Sequence, residues 1–381
     1  MKKILSAFSL PNILRGQASV LASLFLLLVL LLIPTGYEDA VIYKGTDRCA
    51  AEVLSVNNDS IIDTGLVRSG EQTCRVLLKG GRFKGREAEA FNLLNGSLEN
   101  DKIFKEGELA QVVISYDGSK ILSVNMIDHY RITKEIILGI LFVLVLIAVA
   151  GKTGIRAVLS FAVTVLMIWK VLVPLYLKGY QPVLIGFFIT CVLTVIIISL
   201  VYGFERRTLA AVSGAMAGLF VTAAAGAVFT DIFKIHGAIM PYSESLLYSG
   251  YSHLNLTHIF MASIFIGSSG AVMDLSVDIT SAVHEVVCKK PDIGWREAAV
   301  SGMNVGRAAM GTMTTTLLLA YSGGYVTLLM VFMAQGTPIY NILNYKYVSS
   351  EILDTVIGSM GLVTVAPLTA LCAGWLLTRK K

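Results

Sequence analysis

The chain has 381 residues, of which 55% are hydrophobic and only 15% charged, and its mean hydropathy is +0.71. That balance excludes an ordinary soluble globular domain, because several apolar runs reach the roughly 17–25 residues that cross a bilayer. The net charge of +5 lies in short basic clusters at the ends of apolar runs rather than in one patch, which sets nucleic acid aside as a partner and makes these residues topology markers.

Lys2, Lys3 and Arg15 precede an apolar run over 18–34. This arrangement resembles a signal sequence, but the run is long and no small-x-small cleavage site follows it. The expectation is a retained transmembrane helix over 17–35 after a cytoplasmic segment, 1–16.

From 36 to 131 the text turns polar. Short β-type runs at 51–56, 74–78, 87–91, 108–116 and 121–127 alternate with the turn signals Asn57-Asn-Asp, Lys79-Gly-Gly, Asn95-Gly and Asp117-Gly-Ser. This spacing predicts a small all-β barrel or sandwich. The basic stretch Gly80-Gly-Arg-Phe-Lys-Gly-Arg lacks the spacing and following helix of a phosphate loop and reads as a solvated hairpin. Cys49 and Cys74 both fall in this segment, which leaves a disulfide open if it faces an oxidising side.

After 132 the chain stays apolar to 378. Helices are expected at 135–150, 155–177, 182–201, 208–229, 256–287, 299–321 and 352–377, which with the first makes a bundle of about eight transmembrane helices. With the N-terminus inside, the inner loops collect Lys152 and Arg156, Arg206 and Arg207, Lys289, Lys290 and Arg296, then Arg379, Lys380 and Lys381. The β-domain is then extracytoplasmic and both termini, including 379–381, cytoplasmic. A leftover apolar run at 325–334 is shorter than a span. Flanked by Gly323-Gly324 and Gly336-Thr-Pro338, it reads as a re-entrant segment near 325–337.

Chemistry concentrates in Ile266-Gly-Ser-Ser-Gly-Ala-Val-Met-Asp274-Leu-Ser-Val-Asp278. Residues four apart share a helix face, so the two acids stack, and carboxylates in a bilayer cost free energy. Asp274 is either a proton relay or ion ligand, or a structural partner of a basic neighbour. The next helix offers Gly302, Gly306 and Gly311, which with Gly270 would permit close helix packing. It would also bring Arg307 within reach of Asp278. Thr312 and Thr316 share a face; their hydroxyls would bond Asp274, line a polar path, or bond back to carbonyls one turn earlier. Lys170 either snorkels to the outer interface or pairs with an acid. His284 and Glu285 suit a solvated helix end, and His236, His253 and His258 match no metal motif.

Gly270-Ala-Val-Met-Asp274, Ser301-Gly-Met-x-Val-Gly-Arg307 continuing through Met310-Gly-Thr-Met and Thr316-Leu-Leu-Leu-Ala-Tyr321, and Gly358-Ser-Met-Gly-Leu-Val-Thr-Val-Ala-Pro367 closely resemble the YibE/F-like family of bacterial multi-pass membrane proteins. The resemblance runs from the β-domain to the C-terminus. Its pattern has an acid directly after the arginine, an asparagine in the threonine run and a small hydroxyl residue further back, where this chain has Ala308, Thr315 and Asp278. A more distant architectural likeness is to one half of the RND and protein-export membrane proteins.

Together these readings imply a proton- or cation-coupled transporter or export-assisting protein of the bacterial inner membrane. Its relay candidates are Asp274, Asp278, Arg307, Thr312 and Thr316. The alternative is a non-transporting scaffold or sensor whose β-domain binds a partner or envelope ligand. No enzyme motif, cofactor site or metal site is expected. The lipid bilayer is the expected partner, with a proton or cation, an unknown substrate and an oligomer left open.

Overall fold

The computed structural model describes residues 10–38 and 44–379. Lys2, Lys3, Lys380 and Lys381, on which part of the topology expectation leans, lie outside the described residues. The chain divides into two compact units, one of residues 38–149 and one of residues 1–37 with 150–381.

The first unit contains strands β1 (Thr46–Asn57), β2 (Ile61–Asp63), β3 (Arg68–Leu78), β4 (Glu87–Asn95), β5 (Leu109–Asp117) and β6 (Lys120–His129). Neighbours run β1-β5-β6-β4-β3-β2, and β1 also pairs with β3, so five strands close into a barrel with β2 as a short flap on β3. Closure removes the sheet edges that would otherwise invite further pairing. Alternate residues such as Val53, Val76, Ala90, Val112, Ile114 and Val124 fill the interior. All five expected strands are present, four of them longer than their apolar cores suggested and β5 shifted by one residue. β2 escaped detection because three residues carry no readable alternation.

The basic glycine-rich stretch is the β3–β4 connection, and its Phe83 is buried in the barrel core. Gln72 and Asn92, both fully buried, tie down the β4–β5 connection. Gln72 Nε2 donates to the Phe104 carbonyl at 2.9 Å, its Oε1 accepts from Phe104 N at 3.0 Å, and Asn92 Nδ2 donates to Lys102 O at 2.7 Å. Cys49 and Cys74 are free thiols. Cys74 pairs across to Val56, seven residues along β1 from Cys49, which is roughly 23 Å at strand rise and far beyond disulfide reach. Burial pushes the Cys74 thiol up to about 11.

Helix α1 (Leu10–Leu32) precedes the barrel and α2 (Ile132–Met167) follows it. Within α2, Gly151 adopts φ 55° and ψ −126°, a non-helical break that glycine tolerates without steric cost. The part before it is apolar on every side and mostly exposed, with Leu138 at 67% and Val149 at 84%, as a helix solvated by lipid would be.

The second unit continues through a π-turn at Ile168–Leu172, α3 (Val173–Leu177), α4 (Pro182–Tyr202), α5 (Arg206–Ile232), the short α6 (Ser243–Tyr248), α7 (Leu256–Lys289), α8 (Trp295–Ser322), α9 (Val326–Ala334), α10 (Ile339–Leu343) and α11 (Lys346–Thr378). Here α7 is central and packs against α4, α5, α8 and α11. Small residues set the spacing. A Cβ on Gly214 of α5 would stand 2.6 Å from Thr369 Cα, and one on Gly218 would stand 2.7 Å from Val365 Cβ. These contacts, with that of Gly361 against Thr222, run in opposite residue order, so α5 and α11 are antiparallel and nearly in backbone contact.

Among the described residues six segments are long and apolar enough to cross a membrane. The expectation of eight differs in two places. The stretch Ile132–Leu177 is one 46-residue segment, where two helices were expected either side of Gly151, and the first helix counts only as the shorter Gln17–Leu32. The run expected to be re-entrant forms α9, joined to α8 through a 3-10 turn at Gly323–Tyr325, so that Trp295–Ala334 is a single 40-residue candidate.

Candidate functional site

Asp274 lies eighteen residues from the start of α7 and fifteen from its end, near the middle of a helix about 50 Å long. The surrounding helices cover the faces of α7 that carry Val272, Leu275, Ile279 and Val283 and leave uncovered the face that carries Asp274 and Asp278. The two carboxylates act on each other electrostatically. Among the described residues neither has a hydrogen bond or an ion pair.

Arg307 is likewise exposed on α8, and among the described residues it forms no ion pair with either acid. The partner group that does come near Asp278 is Tyr202 of α4. Its hydroxyl donates to Val277 O at 2.6 Å and shares a second bond with Ser281 Oγ at 2.6 Å, while Arg207 stacks over its ring.

The threonines behave as most membrane threonines do. Thr312 Oγ1 donates to Ala309 O at 3.0 Å and Thr316 Oγ1 to Thr312 O at 3.0 Å, so both hydroxyls satisfy their own helix. Of the four glycines read as packing positions, Gly302 and Gly306 are buried against Ile279 of α7, and each also faces an alanine of α11. Gly270 and Gly311, expected to do the same, have open space where a Cβ would stand. Lys170 donates to the Ile33 carbonyl at 3.1 Å, capping the end of α1 rather than meeting an acid. Glu285 pairs with Lys289 at 2.7 Å on the solvated end of α7.

A second pair of acids went unremarked in the sequence. Glu351 and Asp354 sit in the second and third turns of α11, half-buried, next to Tyr321 at the end of α8. The one signal for them is their i, i+3 spacing at the head of an apolar helix. Bounding that helix at 352 had split the pair between a loop and a helix end. Among the described residues no group of three or more His, Cys, Asp or Glu is gathered as a metal centre.

The fold and these sites define a multi-pass helical membrane protein that carries a small β-barrel and keeps unpaired carboxylates within its apolar helices. More narrowly, the chain belongs to the YibE/F-like family, whose model, described as YibE/F-like protein, matches residues 138–379. The match covers the helices that follow the barrel and leaves out α1 and the β-barrel, the latter included in the resemblance read from the sequence. No curated protein and no solved structure matches the chain.

Proposed function

We propose that the chain is a proton- or cation-coupled transporter or export-assisting protein, with Asp274 as the group that takes up and releases the coupling ion. The observation that carries this reading is an acid placed mid-way along the central apolar helix with neither a hydrogen bond nor a basic partner among the described residues. A carboxylate held there against its solvation cost is expected to exchange a proton or bind a cation. Asp278, four residues on, supplies a second carboxyl on the same helix face. Thr312 and Thr316 share one face of the neighbouring helix, and Arg307 stands on another.

The membrane arrangement that goes with this reading has eight spans. The 46-residue stretch is about twice what a single crossing needs, and the Gly151 break is the natural point for it to turn back. The β-barrel then stands outside a bacterial inner membrane, both termini lie in the cytoplasm, and α9 is a re-entrant element. The likeness to one half of an RND-type pump is consistent with this order of parts and adds no residue-level role.

The test is ion movement into vesicles reconstituted with the full chain, read by a lumenal pH dye under an imposed gradient. Asp274→Asn should slow uptake at least about tenfold, which corresponds to about 1.4 kcal/mol on the barrier. Uptake by the variant at the wild-type rate would remove Asp274 from the mechanism. If the wild-type chain shows no uptake and a cellular function is lost on deleting residues 36–131 but kept in Asp274→Asn, the scaffold or sensor reading takes its place.

A further inference from the structure

Four oxygen-bearing side chains meet where α8 ends and α11 begins. Glu351, Asp354, Thr355 and Gly358 occupy positions i, i+3, i+4 and i+7 of α11, so they lie on one face of that helix. The Tyr321 ring crosses that face: a Cβ on Gly358 would stand 3.8 Å from Tyr321 Cε2 and 3.9 Å from its hydroxyl oxygen. The same hydroxyl presses on α7, where a Cβ on Gly267 would approach it to 2.8 Å. Two glycines on two helices thus leave room for this phenol to enter between them.

Tyr321 Oη, Glu351 Oε1, Asp354 Oδ1 and Thr355 Oγ1 are all buried and without a hydrogen-bond partner among the described residues. Thr355 is only 8% exposed and stacks one turn from Glu351, so its hydroxyl is withheld from water as well. Among the described residues no lysine, arginine or histidine pairs with either carboxylate. A buried ionised carboxylate left unpaired costs several kcal/mol, and here two of them share one site. Three of these oxygens stand on one face of α11 and the fourth on the phenol that crosses it, all unpartnered among the described residues, which leaves them free to hold something set between them. Two carboxylates and two hydroxyls are hard oxygen donors with a combined charge of two, matching a divalent cation that keeps some of its own water.

We infer that Glu351, Asp354, Thr355 and Tyr321 form a binding site for one hard divalent cation, Mg²⁺ or Ca²⁺, at the junction of α8, α7 and α11. This inference is independent of the transport reading, since binding requires neither a gradient nor Asp274.

The test uses the full-length chain purified in detergent and stripped with EDTA, titrated calorimetrically with MgCl₂, CaCl₂ and, at matched ionic strength, NaCl. One-site binding of Mg²⁺ or Ca²⁺ is expected, at least tenfold weaker in Glu351→Gln and in Asp354→Asn and several-fold weaker in Tyr321→Phe and Thr355→Val. Glu285→Gln, on the solvated end of α7, should bind as wild type does, and because the titration uses no gradient its failure is separate from failure of the transport reading. The metal of higher affinity tells the two ions apart. Absence of divalent binding, saturable binding of Na⁺ instead, or unchanged affinity in the variants would each overturn the assignment. Should either carboxamide variant fail to stay monodisperse, Tyr321→Phe and Thr355→Val decide the matter, and wild-type affinity in both overturns it.

Discussion

Asp274 and Asp278 on α7 and Glu351 and Asp354 on α11 are the same chemistry at nearly the same spacing, yet their surroundings are opposite. Among the described residues of its own unit, no helix covers the face on which the α7 pair stands, and Gly270 beside it has open space where a Cβ would be. The α11 pair turns toward Tyr321, among hydroxyls cut off from water. The β-barrel handles its acids in a third way, pairing exposed carboxylates with arginines, as in Asp63 with Arg68 at 2.7 Å and Asp128 with Arg131 at 2.6 Å. The lesson is that an acid in an apolar helix acquires its role from the neighbouring helix. In the readings proposed above, the carboxylate on the open face exchanges an ion, whereas the pair among buried oxygens holds one in place.

The comparison breaks most sharply where helix packing is disturbed. Gly214→Val drives a branched side chain into Thr369 and forces α5 from α11, which should cost about 3 kcal/mol or more in thermal unfolding of the detergent-solubilised chain. Gly270→Val, on the open face beside Asp274, should stay within about 0.5 kcal/mol of wild type. Equal losses from the two would mean that the α7 face is covered after all.

A smaller effect distinguishes the acids themselves. In EDTA, Asp354→Asn removes an unpaired, half-buried charge and should raise stability by about 1–2 kcal/mol. Asp274→Asn, which breaks no bond, should leave the unfolding midpoint where it is. A fall in stability for Asp354→Asn would show that the carboxylate has a partner that stabilises its charge.

The smallest effect belongs to the barrel. Asp63 is held below the usual carboxylate range chiefly by its hydrogen bond from Arg68, Asp101 by the backbone N–H of Asn95, and Asp128 by Arg131. Because the folded values are depressed, this stabilisation is complete above the ordinary carboxylate value of about 3.9 and is lost as pH falls through the folded values. Amide protection factors of residues 44–129, taken relative to the intrinsic exchange rate at each pH, should therefore fall below about pH 4. Exposure keeps the gain small, and protection that is flat down to about pH 2 would sever the link to these three groups.

Much of this was legible in the chain. Apolar length marked the helices and glycine-bounded alternation marked the five long strands, because both signals are local. The Asp274 and Asp278 face was legible too, since i, i+4 spacing is a property of one helix. The partners were not. Arg307 follows a run of small residues that promised an ion pair with Asp278, but Gly302 and Gly306 alone turn toward α7, and Arg307 points elsewhere. Glu351 and Asp354 went unremarked because nothing near them in sequence announces Tyr321, thirty residues upstream of Glu351.

By itself the sequence determined that this protein is a multi-pass membrane chain with a small β-domain and acids in its helices, because hydropathy, charge placement and period need no tertiary contacts. Only the tertiary structure decided which acids are left open and which are enclosed. That distinction depends on which face of each helix its neighbours cover. The coverage is set by glycines such as Gly214, Gly267 and Gly358, whose missing side chains let distant segments meet.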